Sequence, residues 1–155
     1  MLVRSKSGSL LALAGLLGSL VLATATPANA SAEAGLGVAL YVHDVDEEGT
    51  WSNGDEVFIS VMRDGSTQRY APTSGTIDVN ESDEGGQVEI PSAHSLKLPV
   101  GAKVTIQVWE DDVSGDDLLA EARDIVVECN RPFSGVTEIT KRKYYNYSFD
   151  GKFTC

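Results

Sequence analysis

Cysteine and histidine are scarce in this chain, with two of each among 155 residues. Neither His43 nor His94 has a second His or a Cys at ligand spacing, and Cys129 and Cys155 form no C-x-x-C, so the sequence signs of a structural zinc site or a dithiol redox centre are missing. No G-x-S-x-G elbow marks a nucleophile. Cations are few: 12 Lys and Arg stand against 23 Asp and Glu, a formal charge of −11. Phosphate binding needs a cationic footprint, so nucleic acid is excluded as an expected partner. Only one long apolar run exists, residues 10–22. It falls short of the ~20 residues that a membrane-spanning helix needs. Beyond it no stretch of twelve residues keeps a helical stripe, and there is neither an internal repeat nor a low-complexity segment.

What is present at the start of the chain has the form of a secretory signal peptide. Arg4 and Lys6 supply a positive head, residues 10–22 the apolar centre, and Ala28-Asn29-Ala30 a small-x-small cleavage site. The absence of an Arg-Arg pair points to Sec export, and the absence of a Cys after the cleavage site argues against a lipoprotein. The expected organisation is residues 1–30 as signal peptide, 31–37 as a short leader, and 38–155 as a single domain of a secreted, bacterial-type protein. Cleavage after Ala30 leaves 125 of the 155 residues, and the loss of Arg4 and Lys6 takes the formal charge from −11 to −13. That length suffices for one domain with a real core. Both cysteines lie in the exported part, so Cys129 and Cys155 are expected to form one disulfide. Its loop would contribute roughly 3–4 kcal/mol by restricting the unfolded chain.

Apolar residues alternate with a period of two along most of the exported chain. The runs are Val38, Leu40, Val42; Val57, Ile59, Val61; Ile77, Val79; Val88, Ile90; Val104, Ile106, Val108; Ile125, Val127; and Tyr145, Tyr147, Phe149. Turn signals separate them at Asn53-Gly54, Asp64-Gly65, Gly85-Gly86, Pro99-Val100-Gly101 and Asp150-Gly151. The pattern predicts an all-β fold, an antiparallel β-sandwich of about 7–9 strands. Residues 118–123 (L-L-A-E-A-R) are compatible with one helical turn or with the start of a strand.

Acid is unevenly distributed. One concentration, H-D-V-D-E-E-G-T-W-S-N-G-D-E over residues 43–56, follows the Val38 strand, and a second, W-E-D-D-V-S-G-D-D over residues 109–117, follows the Val104 strand. Several carboxylates on one loop repel each other unless a cation neutralises them. Calcium, which takes six to eight oxygen ligands, is the natural extracellular candidate. Neither loop has the spacing of the twelve-residue helix-loop-helix calcium motif, and solvated decoration of an acidic exported protein remains the other reading.

Taken together, the two loops resemble those of the C-two domain, a calcium- and lipid-binding β-sandwich. The stretch V-D-E-E-x(6)-D-E-V-F-I-S-V is similar to the family's first acidic loop and the strand that leaves it. V-T-I-Q-V-W-E-D-D-V-S-G-D-D-L-L-A is similar to the second. The resemblance implies a C-two-like sandwich with calcium ligands at Asp55, at Glu110, Asp112 and Asp117, and at Asp116 where the family often has Asn. Asp46 and Glu48, with Glu47 beside them, are the candidates for the earlier ligand of the first loop. Glu110 stands where Asp is usual, Ala120 where Gly is usual, and the second loop is one residue short.

Lys141-Arg142-Lys143, followed by Tyr144-Tyr145-Asn146-Tyr147, is the one concentrated positive patch. It reads as a turn whose cations discourage edge-to-edge pairing while alternate tyrosines pack inward, and an acidic surface or a second copy is the partner it would suit. Trp109 is expected to cover the core, and Trp51 is left open. Paired carboxylates such as Asp111 and Asp112 imitate a glycosidase pair, but neighbours on one loop do not reach the ~5–9 Å opposition that reaction needs. The expectation is a non-enzymatic calcium-binding module that presents its loops to a protein or cell-surface partner. The alternative is a metal-free, disulfide-held interaction or inhibitor protein. Export itself predicts a mature N-terminus at Ser31, which mass spectrometry of culture supernatant reads directly. A cell-retained product still carrying residues 10–22 would refute it.

Overall fold

The computed structural model describes residues 32–45, 54–91, 93–111, 115–142 and 144–155. Among the described residues there are ten strands: β1 (Glu33–Asp44), β2 (Asp55–Arg63), β3 (Ser66–Ala71), β4 (Ile77–Val79), β5 (Gln87–Val88), β6 (Lys97–Pro99), β7 (Lys103–Glu110), β8 (Asp117–Val126), β9 (Pro132–Val136) and β10 (Asn146–Thr154). All pairings are antiparallel, in the order β3-β2-β7-β8-β9-β10-β1-β5, with β4 on β2 and β6 on β1. A single 3-10 turn, Glu81–Asp83, interrupts the strands among the described residues. The expected all-β antiparallel fold is therefore what the chain forms.

The ribbon closes into two layers at the junction of β8 and β9. Among the described residues only one pair, Glu121 with Val136, carries the ladder across it. Contacts between layers confirm the stacking: the Tyr70 hydroxyl of β3 donates to the Leu36 carbonyl of β1 at 2.6 Å, and the Tyr147 hydroxyl of β10 donates to Asp55 at the start of β2. Between the layers lie the alternating residues picked out in the sequence. Leu40, Val42, Val57, Ile59, Val61, Ile77, Val79, Val104, Ile106, Val108, Val127, Tyr145, Tyr147 and Phe149 are all buried. Burial of one Val, Leu, Ile or Phe side chain stabilises by about 1.5–3 kcal/mol, so this set dominates the fold.

Several elements differ from the sequence expectation. Strand β1 begins at Glu33, inside the segment read as a leader, and residues 33–37 pair with both β10 and β6. Gly35 and Gly37 hide that strand from a hydrophobic count, since backbone pairing rather than side-chain burial holds them. Residues 118–123 lie within β8 and make no helical turn. Strands β3, β6 and β9 carry no clean apolar alternation and were not expected. At Asp64-Gly65 the anticipated hairpin turn forms, with both residues at positive φ (52° and 76°). That is the geometry a two-residue connection needs to match strand twist.

Strand β9 is held by a reciprocal exchange of rings and glycines. Phe149 of β10 is paired with Gly135 of β9, and Phe133 of β9 with Gly151 of β10. A Cβ built on either glycine falls inside the opposing ring. Each ring thus occupies the space beside the neighbouring strand's glycine, covering a residue that would otherwise weaken the strand. Phe133 also packs on Phe153, ring centroids 5.0 Å apart. Immediately before this hairpin, Cys129 is joined to Cys155 with the Cα atoms 5.5 Å apart, so the expected disulfide fastens the end of β10 to the β8–β9 connection.

The ring–glycine exchange predicts that Gly135→Ala destabilises by about 1–3 kcal/mol, the cost of overpacking a filled core. Phe149 is fully buried and has no room to retreat. Urea titration measures the loss; an unchanged midpoint would show that the ring relocates freely.

Candidate functional site

The acidic loops named in the sequence leave from one end of three neighbouring strands. Val57 of β2 is paired with Glu110, the last residue of β7, and Glu110 with Asp117, the first residue of β8. Asp55 opens β2 two residues before Val57, opposite Val79 of β4. The two connections are tied together by backbone, since the Asp111 amide donates to the Glu56 carbonyl at 2.7 Å. Gly54 sets the entry to β2. It takes φ +109°, and a Cβ there would collide with the Val79 carbonyl, so only glycine lets the chain arrive at Asp55 in this direction.

Within that end the candidate ligands have different fates. Asp55 is buried (1% exposed), and its Oδ2 accepts a hydrogen bond from the Tyr147 hydroxyl of the facing layer. Glu110 is half-buried, while Asp111, Asp116 and Asp117 are exposed. Asp46, Glu48 and Asp112, like Glu47 and Trp51, lie outside the described residues. Among the described residues no group of three or more His, Cys, Asp or Glu side chains is gathered so that it could hold a metal ion. On the described atoms alone, then, the topology collects the roots of both loops without assembling a ligand set.

Asp55 belongs to a buried polar relay that the sequence did not disclose. Tyr147, whose hydroxyl holds Asp55, gives its own backbone amide to the Thr137 hydroxyl at 2.7 Å. That hydroxyl in turn donates to the Leu119 carbonyl at 2.7 Å. Tyr145, two residues before Tyr147, donates its hydroxyl to the Leu118 carbonyl at 3.0 Å. The relay therefore joins the starts of β2 and β8, which follow the two acidic connections, to the start of β10. In the sequence its only visible trace is the alternation of Tyr145 and Tyr147. Thr137 carries no signal at all, because its partners are distant in the chain.

The remaining candidates have plainer roles. Trp109 is half-buried, its indole N–H within 3.1 Å of the Ser60 hydroxyl and 3.3 Å of the Gln107 side-chain oxygen. His43 contacts the Ser148 hydroxyl at 2.8 Å on the exposed face of β1 and β10. Lys141 and Arg142 sit in the turn between β9 and β10, and Tyr145 and Tyr147 pack inward, as the sequence reading of that patch expected. A groove lined by Val61, Arg63, Ser66, Gln68 and residues 96–98 lies toward the other end of β2.

The relay yields a measurable expectation. A buried hydrogen bond to a carboxylate contributes about 1.5–3 kcal/mol, and removing the donor forfeits that contribution. Tyr147→Phe should lower stability by that amount in urea denaturation, with the sheet spectrum retained. A loss below about 0.5 kcal/mol, the low end for any net hydrogen bond, would mean Asp55 is held by its other surroundings.

No family model matches the chain, and no curated protein matches it. Among solved structures, one matching chain is titled "Structure of a C2 domain": it shares 13% identity, superposes with a TM-score of 0.47, and the match covers 79% of this chain and 98% of that one. At that identity and superposition the likeness assigns this chain neither a family nor a ligand.

Proposed function

We propose that the protein is an exported, non-enzymatic β-sandwich module that takes up calcium between its two acidic connections and presents that ordered end to a partner. The observation that supports the reading is the register of β2, β7 and β8, which brings Asp55, Glu110 and Asp117 to the same end of adjacent strands. Residues 46–53, which lead into β2, and 112–114, which lie between β7 and β8, hold Asp46, Glu48 and Asp112 and would complete the oxygen set. Calcium suits such a place because it accepts many flexible oxygens, whereas magnesium demands a strict octahedron and keeps its waters. Its contribution would be mechanical: it cancels repulsion and orders both connections. A metal-free interaction module is the second reading. The burial of Asp55 under Tyr147 favours it, because that carboxylate already has a structural partner.

Thermal melting separates the two. Extracellular modules bind calcium with Kd of about 10⁻⁴–10⁻³ M, so ~1 mM calcium should add about 0.4–1.4 kcal/mol to the folded state. The melting temperature should rise with calcium and rise less with magnesium at equal ionic strength. Asp112→Asn together with Asp117→Asn should abolish most of the calcium response, and those variants should melt at or above wild type in chelator because repulsion is reduced. Equal shifts from both ions would mean simple screening, and the metal-free reading would then stand.

A further inference from the structure

The end of the domain that carries the acidic connections also carries its cationic one. The turn between β9 and β10 is anchored on both sides to the start of β8: Thr137 donates to the Leu119 carbonyl and Tyr145 to the Leu118 carbonyl. Asp116 and Asp117 immediately precede those two leucines and are exposed. Lys141 and Arg142 are exposed in the anchored turn, so cations and carboxylates share one end of the domain. They do not neutralise each other there. Among the described residues the ion pairs are Arg63–Asp64, Arg123–Glu121 and Arg131–Glu128, and the Arg142 Nε instead donates to the Thr137 carbonyl within its own turn.

The same turn gathers the exposed apolar side chains. Among the described residues the large hydrophobic groups left most open are Val136 (49%), Ile139 (80%) and Tyr144 (49%), all within residues 136–144. Apolar groups flanked by charge mark an interaction surface rather than solvated decoration. The charge layout selects the partner. An anionic bilayer approaching Lys141 and Arg142 would also meet Asp111, Asp116 and Asp117. A second copy turned by a half-rotation meets opposite charge at both places, since a two-fold contact sets patch i on patch j and patch j on patch i.

We propose that this end is a self-complementary interface: the Ile139–Lys141–Arg142 turn of one copy docks on Asp111, Asp116 and Asp117 of a second, and reciprocally. The negative charge of the two bodies opposes the contact only weakly, because charges separated by more than about 8 Å are screened at physiological salt while the docked groups are not. The surface is small, so the association belongs to the weak, concentration-dependent class.

A charge exchange tests the pairing, run in chelator so that the outcome does not depend on calcium uptake. Sedimentation equilibrium of the wild-type protein over rising concentration should show a monomer–dimer equilibrium. Lys141→Glu with Arg142→Glu should be monomeric, because acid then faces acid. Asp116→Lys with Asp117→Lys should also be monomeric, because cation faces cation. Mixed in equal amounts, the two variants should form a heterodimer, since both contacts become complementary again, and Ile139→Ser should weaken the wild-type dimer. A wild type that stays monomeric at every concentration, or a mixture that fails to associate, overturns the proposal. So does a monomer that binds phosphatidylserine vesicles in chelator, which would give the turn to lipid instead.

Discussion

The sheet covers both sides of one core by thinning its ladder between β8 and β9. Among the described residues a single pair survives across that junction. Carbonyl groups on the outer side of β8 therefore lose the strand that would have bonded them, and buried backbone polar groups left unsatisfied are costly. Side chains supply the missing partners. The hydroxyls of Tyr145 and Thr137 take the carbonyls of Leu118 and Leu119, and Thr137 also accepts the Tyr147 amide. Because Tyr147 reaches across to Asp55, the same repair that closes the sandwich also sets where β2 begins.

That arrangement explains how an acidic chain tolerates its acid. Carboxylates were concentrated by the sequence into two connections, and the register of β2, β7 and β8 places both at one end. One of them, Asp55, is taken inside and held by a phenol. Asp111, Asp116 and Asp117 remain in water, where high dielectric keeps mutual repulsion to about 1 kcal/mol or less per pair. Burial of a single carboxylate with a donor thus does structural work, while the exposed ones are available for a cation or for an oppositely charged surface.

The stretches read correctly from sequence share a physical property: their information is local. Period-two alternation marked β2, β4, β7 and β10, since each turns its apolar residues to the core and its polar residues to the opposite face. Asp64-Gly65 announced its turn because few residues accept positive φ at consecutive positions. Two cysteines in the whole chain left a single pairing to make. Strand β9 escaped, because Gly135 presents no side chain and its burial comes from the Phe149 ring of another strand. The opening of β1 escaped because Gly35 and Gly37 likewise present no side chain and are held by backbone pairing.

Composition, periodicity and turn chemistry alone determined an all-β antiparallel domain, its one disulfide and the two places where acid accumulates. Those features depend on neighbours in the chain. Which carboxylate is buried, which hydroxyls mend the β8–β9 junction, and the placing of the Lys141–Arg142 turn at the same end as Asp116 and Asp117 were decided only by the tertiary structure. Each of these joins groups that are remote in sequence, Asp55 and Tyr147 being 92 residues apart. No local preference encodes such a contact; it exists because two layers, each folded for its own reasons, must satisfy every polar group they bury together.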